Sequence, residues 1–223
     1  MADVERPGAQ RWVPERATLT GLREAAQECR GCELYQDATQ AVMGDGLKRA
    51  RLVLLGEQPG DQEDRQGKPF VGPAGGVLDR ALADAGIDRD DTYRTNVVKH
   101  FRWRAQGKRR IHQPPGQAHV TACGPWLTAE FRVLEPVGVV LLGGTAGKLV
   151  FGSSFRVGES RGRLTDWPGR FPVDHQPHWV LPTIHPSAVL RAEDDREAAY
   201  EGLVGDLVVA AEALDSADAS SRR

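Results

Sequence analysis

Leu52-Val53-Leu54-Leu55-Gly56-Glu57-Gln58-Pro59-Gly60 is the stretch whose reading decides the fold. Four consecutive apolar residues closed by Gly and Pro read as a buried strand that stops abruptly. In an open parallel sheet the carboxyl end of such a strand is where ligands bind. Here that end carries a carboxylate, an amide and two glycines, followed by Asp61, Glu63 and Asp64 and the glycine-rich Pro69-Phe70-Val71-Gly72-Pro73-Ala74-Gly75-Gly76. Such a sequence builds a pocket that backbone can approach closely.

Outward from that strand, the rest of the chain alternates strands with helices. Helices are expected at Thr18–Glu28, Gly76–Ala85, Gln117–Leu134, Ala146–Phe151 and Glu193–Leu214, and further strands at Thr92–Val98, Val137–Leu142 and Trp179–Ile184. Residues 99–113 show no period and read as a basic loop, and residues 156–176 as an irregular excursion. The alternation predicts an α/β fold, a three-layer α/β/α sandwich around a central, mainly parallel four-stranded sheet. Residues 1–16 read as a loosely attached arm, 17–214 as one domain and the polar 215–223 as a disordered tail. A chain of 223 residues with 40% apolar content is enough for one such core.

Composition limits the function classes. No stretch approaches a membrane span or a secretory signal, so no membrane partner is expected. Three cysteines form no disulfide pattern, which points to a reducing cytoplasm and a metal or cofactor role. The formal charge of −2 announces no global affinity for nucleic acid, but six Lys/Arg and no acid lie between Lys99 and Arg110. Gly143-Gly144-Thr145-Ala146-Gly147-Lys148 looks like a phosphate loop but has only three residues between Gly143 and Gly147, and Leu149 follows the lysine. No nucleotide cofactor is therefore expected, although a Gly-rich helix start of this kind suits a DNA phosphate.

Three strands end in site-like residues: Glu57 and Gln58, Asn96, and His185. Each alone is ordinary loop chemistry, with His185-Pro186-Ser187 a helix start capped by Ser187. Jointly they read as one site at one sheet edge. The GEQPG, GKPFVGPAGG, TNVVK and HPS segments and the spaced cysteines together resemble the iron–sulfur uracil-DNA glycosylases, from about Cys29 to about Leu214. The string Lys108-Arg109-Arg110-Ile111-His112 is similar to the hallmark of the X-type members, which become covalently attached to uracil-containing DNA.

Chemistry gives these residues roles beside that resemblance. Uracil presents an N3–H donor between two acceptors, and the Asn96 amide matches that edge while cytosine reverses it. Phe70 offers a face for a flipped base, with Gly60 close by. The resemblance makes Glu63 a candidate for crowding the C5 position. His185 is placed to donate to O2 as negative charge grows on the leaving base. The sugar then meets either water, positioned by Glu57 or Gln58, or the imidazole of His112, whose protonated form the flanking cations disfavour. The imidazole route implies a single-turnover enzyme linked to its product.

Cys29 and Cys32 form a C-x-x-C pair, and Cys123 is the remaining thiol. The family places a fourth cysteine directly after NVVK, where this chain has His100. Composition alone favours a Cys₃His zinc site; the resemblance implies a [4Fe–4S] cluster on Cys29, Cys32, His100 and Cys123. DNA contacts are expected from Lys108, Arg109 and Arg110, from Gly75 and Gly76 at a helix start, and from Ser187 and Arg191. The expected partner is uracil-containing DNA, single-stranded by preference, bound by a monomer. Covalent excision, ordinary hydrolytic excision and a catalytically silent DNA-binding module remain the three readings.

Overall fold

The computed structural model describes residues 6–221; residues 1–5 of the expected arm and 222–223 of the expected tail lie outside the described residues. Helix α1 (Leu19–Ala26) starts at Thr18, whose hydroxyl accepts from the Gly21 N–H. Then come β1 (Leu52–Gly56), α2 (Asp61–Gln66), α3 (Pro73–Asp84), β2 (Thr92–Asn96) and the hairpin strands β3 (Trp103–Gln106) and β4 (Arg109–His112). Helix α4 (Gln117–Leu134), β5 (Gly138–Leu142), α5 (Gly144–Phe151), α6 (Val157–Ser160), β6 (Trp179–Thr183), α7 (Pro186–Arg191) and α8 (Arg196–Ser221) complete the order. Among the described residues no helix is long and apolar enough to cross a membrane.

The central sheet has four strands in the order β2-β1-β5-β6, all parallel. Every residue of its strands is buried, and β1 and β5 accordingly read as continuous apolar runs, whereas β2 (Thr-Tyr-Arg-Thr-Asn) buries polar groups. The pleat divides them between two cores. Val53, Leu55, Val139, Leu141 and Val180 pack with α1, α4 and α5, whereas Leu52, Leu54, Val140, Leu142 and Leu181 pack with α3, α7 and α8. The expected three-layer sandwich is the observed one.

Four local expectations are corrected. Asp61–Gln66 is helical rather than loop: it has no apolar stripe to betray it, but Asp61, Glu63 and Asp64 suit the positive end of a helix. The segment 99–113 contains an antiparallel hairpin closed by Gly107-Lys108, with Gly107 at φ +59°. A two-residue Gly-X turn between four-residue arms was the available signal, masked by the charge of the arms. The segment at 8–13 is docked rather than loose, since Gly8 and Ala9 donate to the Gly31 and Ala122 carbonyls and Ala9 is buried. The tail continues α8 through Ser221, because no Gly or Pro interrupts the run after Leu214, which packs into the core.

Lys99 also departs from its place in a basic loop. Its ammonium is fully buried, 2.6 Å from Glu130 Oε2, and donates to Thr95 Oγ1 and the Asn96 carbonyl. Glu130 additionally accepts from the Gly44 N–H, the Tyr93 hydroxyl and the Thr95 hydroxyl. Removing one partner of such a pair leaves an uncompensated buried charge. Lys99→Met is expected to cost about 3–5 kcal/mol, read as a lower denaturant midpoint, and adding Glu130→Gln to it should recover part of that loss.

Candidate active site

The chain leaves β1 for β2 on one side and returns to β5 and β6 on the other, so the crossover direction reverses between β1 and β5. A crevice opens at the carboxyl ends of the strands at such a point. A cavity of about 620 Å³ lies there, and Glu57, Phe70, Asn96, His112, Thr145 and His185 are in its wall. A second cavity, of about 980 Å³, is walled by α4, α5 and residues 170–172 and shares none of these groups.

One wall is formed by Gly56, Phe70 and Asn96. A Cβ at Gly56 would stand 2.4 Å from Asn96 Oδ1 and 2.8 Å from Phe70 Cζ, so only glycine lets both close over the end of β1. The Phe70 backbone is held at φ +55°, a strained conformation for an aromatic residue. Gly75, expected at the DNA, instead packs beneath that strained residue: a Cβ there would lie 1.8 Å from the Phe70 carbonyl oxygen. The buried Asn96 side chain makes no hydrogen bond to a described residue, which leaves one acceptor and two donors for a ligand. Glu63 faces the same wall but its carboxylate accepts from the Gly60 and Gly72 N–H groups. It thereby ties α2 to the start of α3 while lining the cavity, and Gly60 is the N-cap of α2.

His185 stands on the other side, its ring stacked 6.2 Å from that of Phe70. It, not Ser187, caps α7: its Nδ1 accepts from the Ser187 N–H at 3.1 Å. A backbone N–H only donates, so Nδ1 is unprotonated and the ring proton sits on Nε2. Burial pushes the imidazole down to about 4, against the opposing pull of Glu57. His185 is therefore a neutral Nε2–H donor at neutral pH. The Ser187 hydroxyl lies between His185 Nδ1 and the Arg191 guanidinium, so it orients the ring.

Glu57 and His112 form the third side. His112 Nε2 is 3.3 Å from Glu57 Oε1, and Thr145 donates to Glu57 Oε2. Burial pushes the Glu57 carboxyl up, but the hydrogen bonds from His112 and Thr145 outweigh it and hold it below its ordinary value. His112 reaches this position because the hairpin is anchored twice. Gln58, expected to position water, instead brackets the hairpin base: its Nε2 donates to the Arg102 and Gln113 carbonyls and its Oε1 accepts from the Arg102 N–H. Arg110 pairs with Asp61 and, at 2.6 Å, with the fully buried Asp64. That residue clasps the hairpin to α2; it is not an open phosphate ligand. Lys108 and Arg109 at the turn remain exposed, as do Gly76 and Arg191.

Cys29, Cys32 and Cys123 are all buried, beside the docked residues 8–9. Trp126 Nε1–H donates to Cys29 Sγ and the Lys99 backbone N–H to Cys123 Sγ. Burial pushes the Cys123 thiol up to about 12, and Cys29 and Cys32 lie close enough to add to that rise. His100 is buried too, and burial holds it neutral by pushing it down to about 4. Among the described residues no three of His, Cys, Asp or Glu are arranged to hold a single metal ion. A buried, hydrogen-bonded thiol set still has the chemistry of a cluster site.

Sequence reasoning named Asp61 and Asp64 only as part of the pocket-building stretch and gave neither them nor Thr145 the contacts seen here. Thr145 sat in a loop judged only as a phosphate binder, and its true partner, Glu57, is 88 residues away.

A sequence profile described as the uracil DNA glycosylase superfamily matches residues 43–207. The chain is similar to proteins named type-4 uracil-DNA glycosylase. That of Thermotoga maritima is 38% identical over 171 residues, covering 76% of this chain and 82% of the relative. That of Sulfurisphaera tokodaii is 34% identical over 177 residues, covering 78% and 76%.

Loosening the clasp should free the hairpin without unfolding the domain. Arg110→Ser is expected to speed amide hydrogen exchange of residues 103–112, with strands β1 and β5 unchanged in the same experiment.

Proposed function

Because the chain belongs to the uracil DNA glycosylase superfamily, we propose that it is a uracil-DNA glycosylase that ends linked through His112 to the sugar from which it removed the base. The observation that carries this reading is the His112 imidazole, 3.3 Å from the Glu57 carboxylate in the cavity that holds Phe70, Asn96 and His185.

A flipped uracil stacks on Phe70 and presents N3–H and O4 to the Asn96 amide. The bond between C1′ and N1 breaks, its electron pair leaves on the base, and the His185 Nε2–H donates to O2 as that oxygen gains charge. The sugar becomes an oxocarbenium-like cation, which the ionised Glu57 stabilises. A ring nitrogen of His112 supplies its lone pair to C1′, and the imidazolium so formed keeps its remaining N–H on the Glu57 carboxylate. With both Glu57 oxygens engaged, by the imidazolium N–H and by Thr145, the carboxylate is not free to activate water, and the reaction stops after one turnover. Lys108 and Arg109 at the hairpin turn, Arg191 at the cavity rim and the backbone at Gly76 meet the phosphates. A single strand avoids the unpairing cost of flipping, which supports a preference for it.

The three buried thiols suit the [4Fe–4S] cluster that the resemblance implies, with Cys29, Cys32 and Cys123 as ligands and His100, next to Lys99, taking the fourth position. Bound there, the cluster supplies a structural cross-link between the end of α1, the segment after β2 and α4. The protein should be brown, with absorption at about 400 nm; a colourless, zinc-loaded preparation would overturn this assignment.

Incubation with a uracil-containing oligonucleotide and a denaturing gel tests the reaction. A denaturant-resistant shifted band is expected, lost in His112→Ala while free uracil is still released. Free uracil and an alkali-labile site from the unaltered protein, without that band, would leave hydrolytic excision, with Glu57 orienting water. Neither product would leave only a DNA-binding module.

A further inference from the structure

The cavity is assembled from two halves that the chain builds far apart. Glu57 and His112 face the sugar; His185 faces the departing base. One short loop touches both. Thr145 donates to Glu57 Oε2, leaving Oε1 for His112. Two residues earlier, Gly143 has φ +93°, and a Cβ on it would lie 3.0 Å from His185 Cβ. The Gly143 N–H also donates to the Thr183 carbonyl, which draws the end of β5 onto the end of β6 beside His185. The loop sits at the start of α5, directly after β5, and thus on the flank of the crevice opposite Glu57.

We propose that Gly143-Gly144-Thr145 is the positioning element of the site: it registers the Glu57–His112 pair against His185 through the Thr145 hydroxyl. This rests on the glycosylase reading given above, and deepens it by adding a residue that acts through Glu57. Geometry gives the reason. A carboxylate free to rotate presents either oxygen to His112, or neither. A hydroxyl bond to Oε2 selects one orientation, in which Oε1 faces the imidazole. The same bond favours the ionised carboxylate, because a donor stabilises the charged form. Gly143 keeps the opposite contact short, since any side chain there would meet His185 in a backbone conformation that only glycine adopts readily.

The test compares Thr145→Val, which keeps the shape and removes the hydroxyl, with Thr145→Ser, which keeps the hydroxyl and removes a methyl group. Single-turnover reaction with a uracil-containing oligonucleotide should slow about tenfold or more in Thr145→Val, the expected loss for a hydrogen bond to a charged group. The acid limb of its pH profile should move to higher pH, because Glu57 loses a donor and becomes easier to protonate. Thr145→Ser should restore both the rate and the limb. A Thr145→Val variant with an unchanged rate and limb would overturn the proposal. So would a Thr145→Ser variant as impaired as Thr145→Val, which would mean that packing alone is at stake. Carbon-13 NMR titration of the Glu57 carboxyl in the DNA-free protein separates this from the glycosylase reading. There Thr145→Val should raise the midpoint and Thr145→Ser should restore it, whether or not uracil is ever released. An unchanged midpoint in Thr145→Val would sink the role of the loop even in an active enzyme.

Discussion

Everything at the site depends on four parallel strands that end at one edge, with the crossover direction reversing between β1 and β5. Parallel register forces all four carboxyl ends to the same side. The reversal opens a crevice between the central pair. Backbone pairing runs on past the strands: Val97 and Val98 donate to the Gly56 and Glu57 carbonyls, and Gly143 donates to Thr183. The loops that carry the functional groups therefore begin as rigid extensions of the sheet.

Into that gap the molecule places groups of different electrostatic character. His185 is half-buried and neutral, with its proton directed by the Ser187 backbone. Glu57 is held ionised by two donors although it is partly buried. A neutral donor suits an oxygen that gains charge, and a fixed carboxylate suits a sugar carbon that becomes positive. The cations of the hairpin divide between two duties. Arg110 is neutralised by two aspartates and serves the architecture, while Lys108 and Arg109 project at the turn.

Lys99 joins the site to the thiol layer. Its ammonium donates to the Asn96 carbonyl, and its backbone N–H donates to Cys123 Sγ. Its own carbonyl accepts from the Val42 N–H. The segment that presents the Asn96 amide is thus held to α4 twice, through the buried ion pair with Glu130 and through Cys123. The thiol layer therefore touches the segment that follows Asn96 through Lys99.

The sequence by itself determined the layer architecture and the gathering of polar residues at one sheet edge. Runs such as Leu52–Leu55 and Val139–Leu142 must be buried on both faces, and a buried strand that stops at Gly and Pro puts its next polar residues at the sheet edge. Glu57, Asn96, His185 and His112, which stand at strand ends or in a short motif, line one cavity. Tertiary structure alone decided which polar groups face the cavity and which hold its walls. Gln58, Glu63, Arg110 and Ser187 have the chemistry of site residues, yet each has its side chain engaged by other parts of the protein. Thr145 carried no such signal but reaches Glu57 across the crevice. Side-chain type specifies what a group can donate or accept; only the packing of distant segments specifies the partner, because hydrogen bonds and ion pairs are set by distances of a few ångströms that sequence separation does not encode.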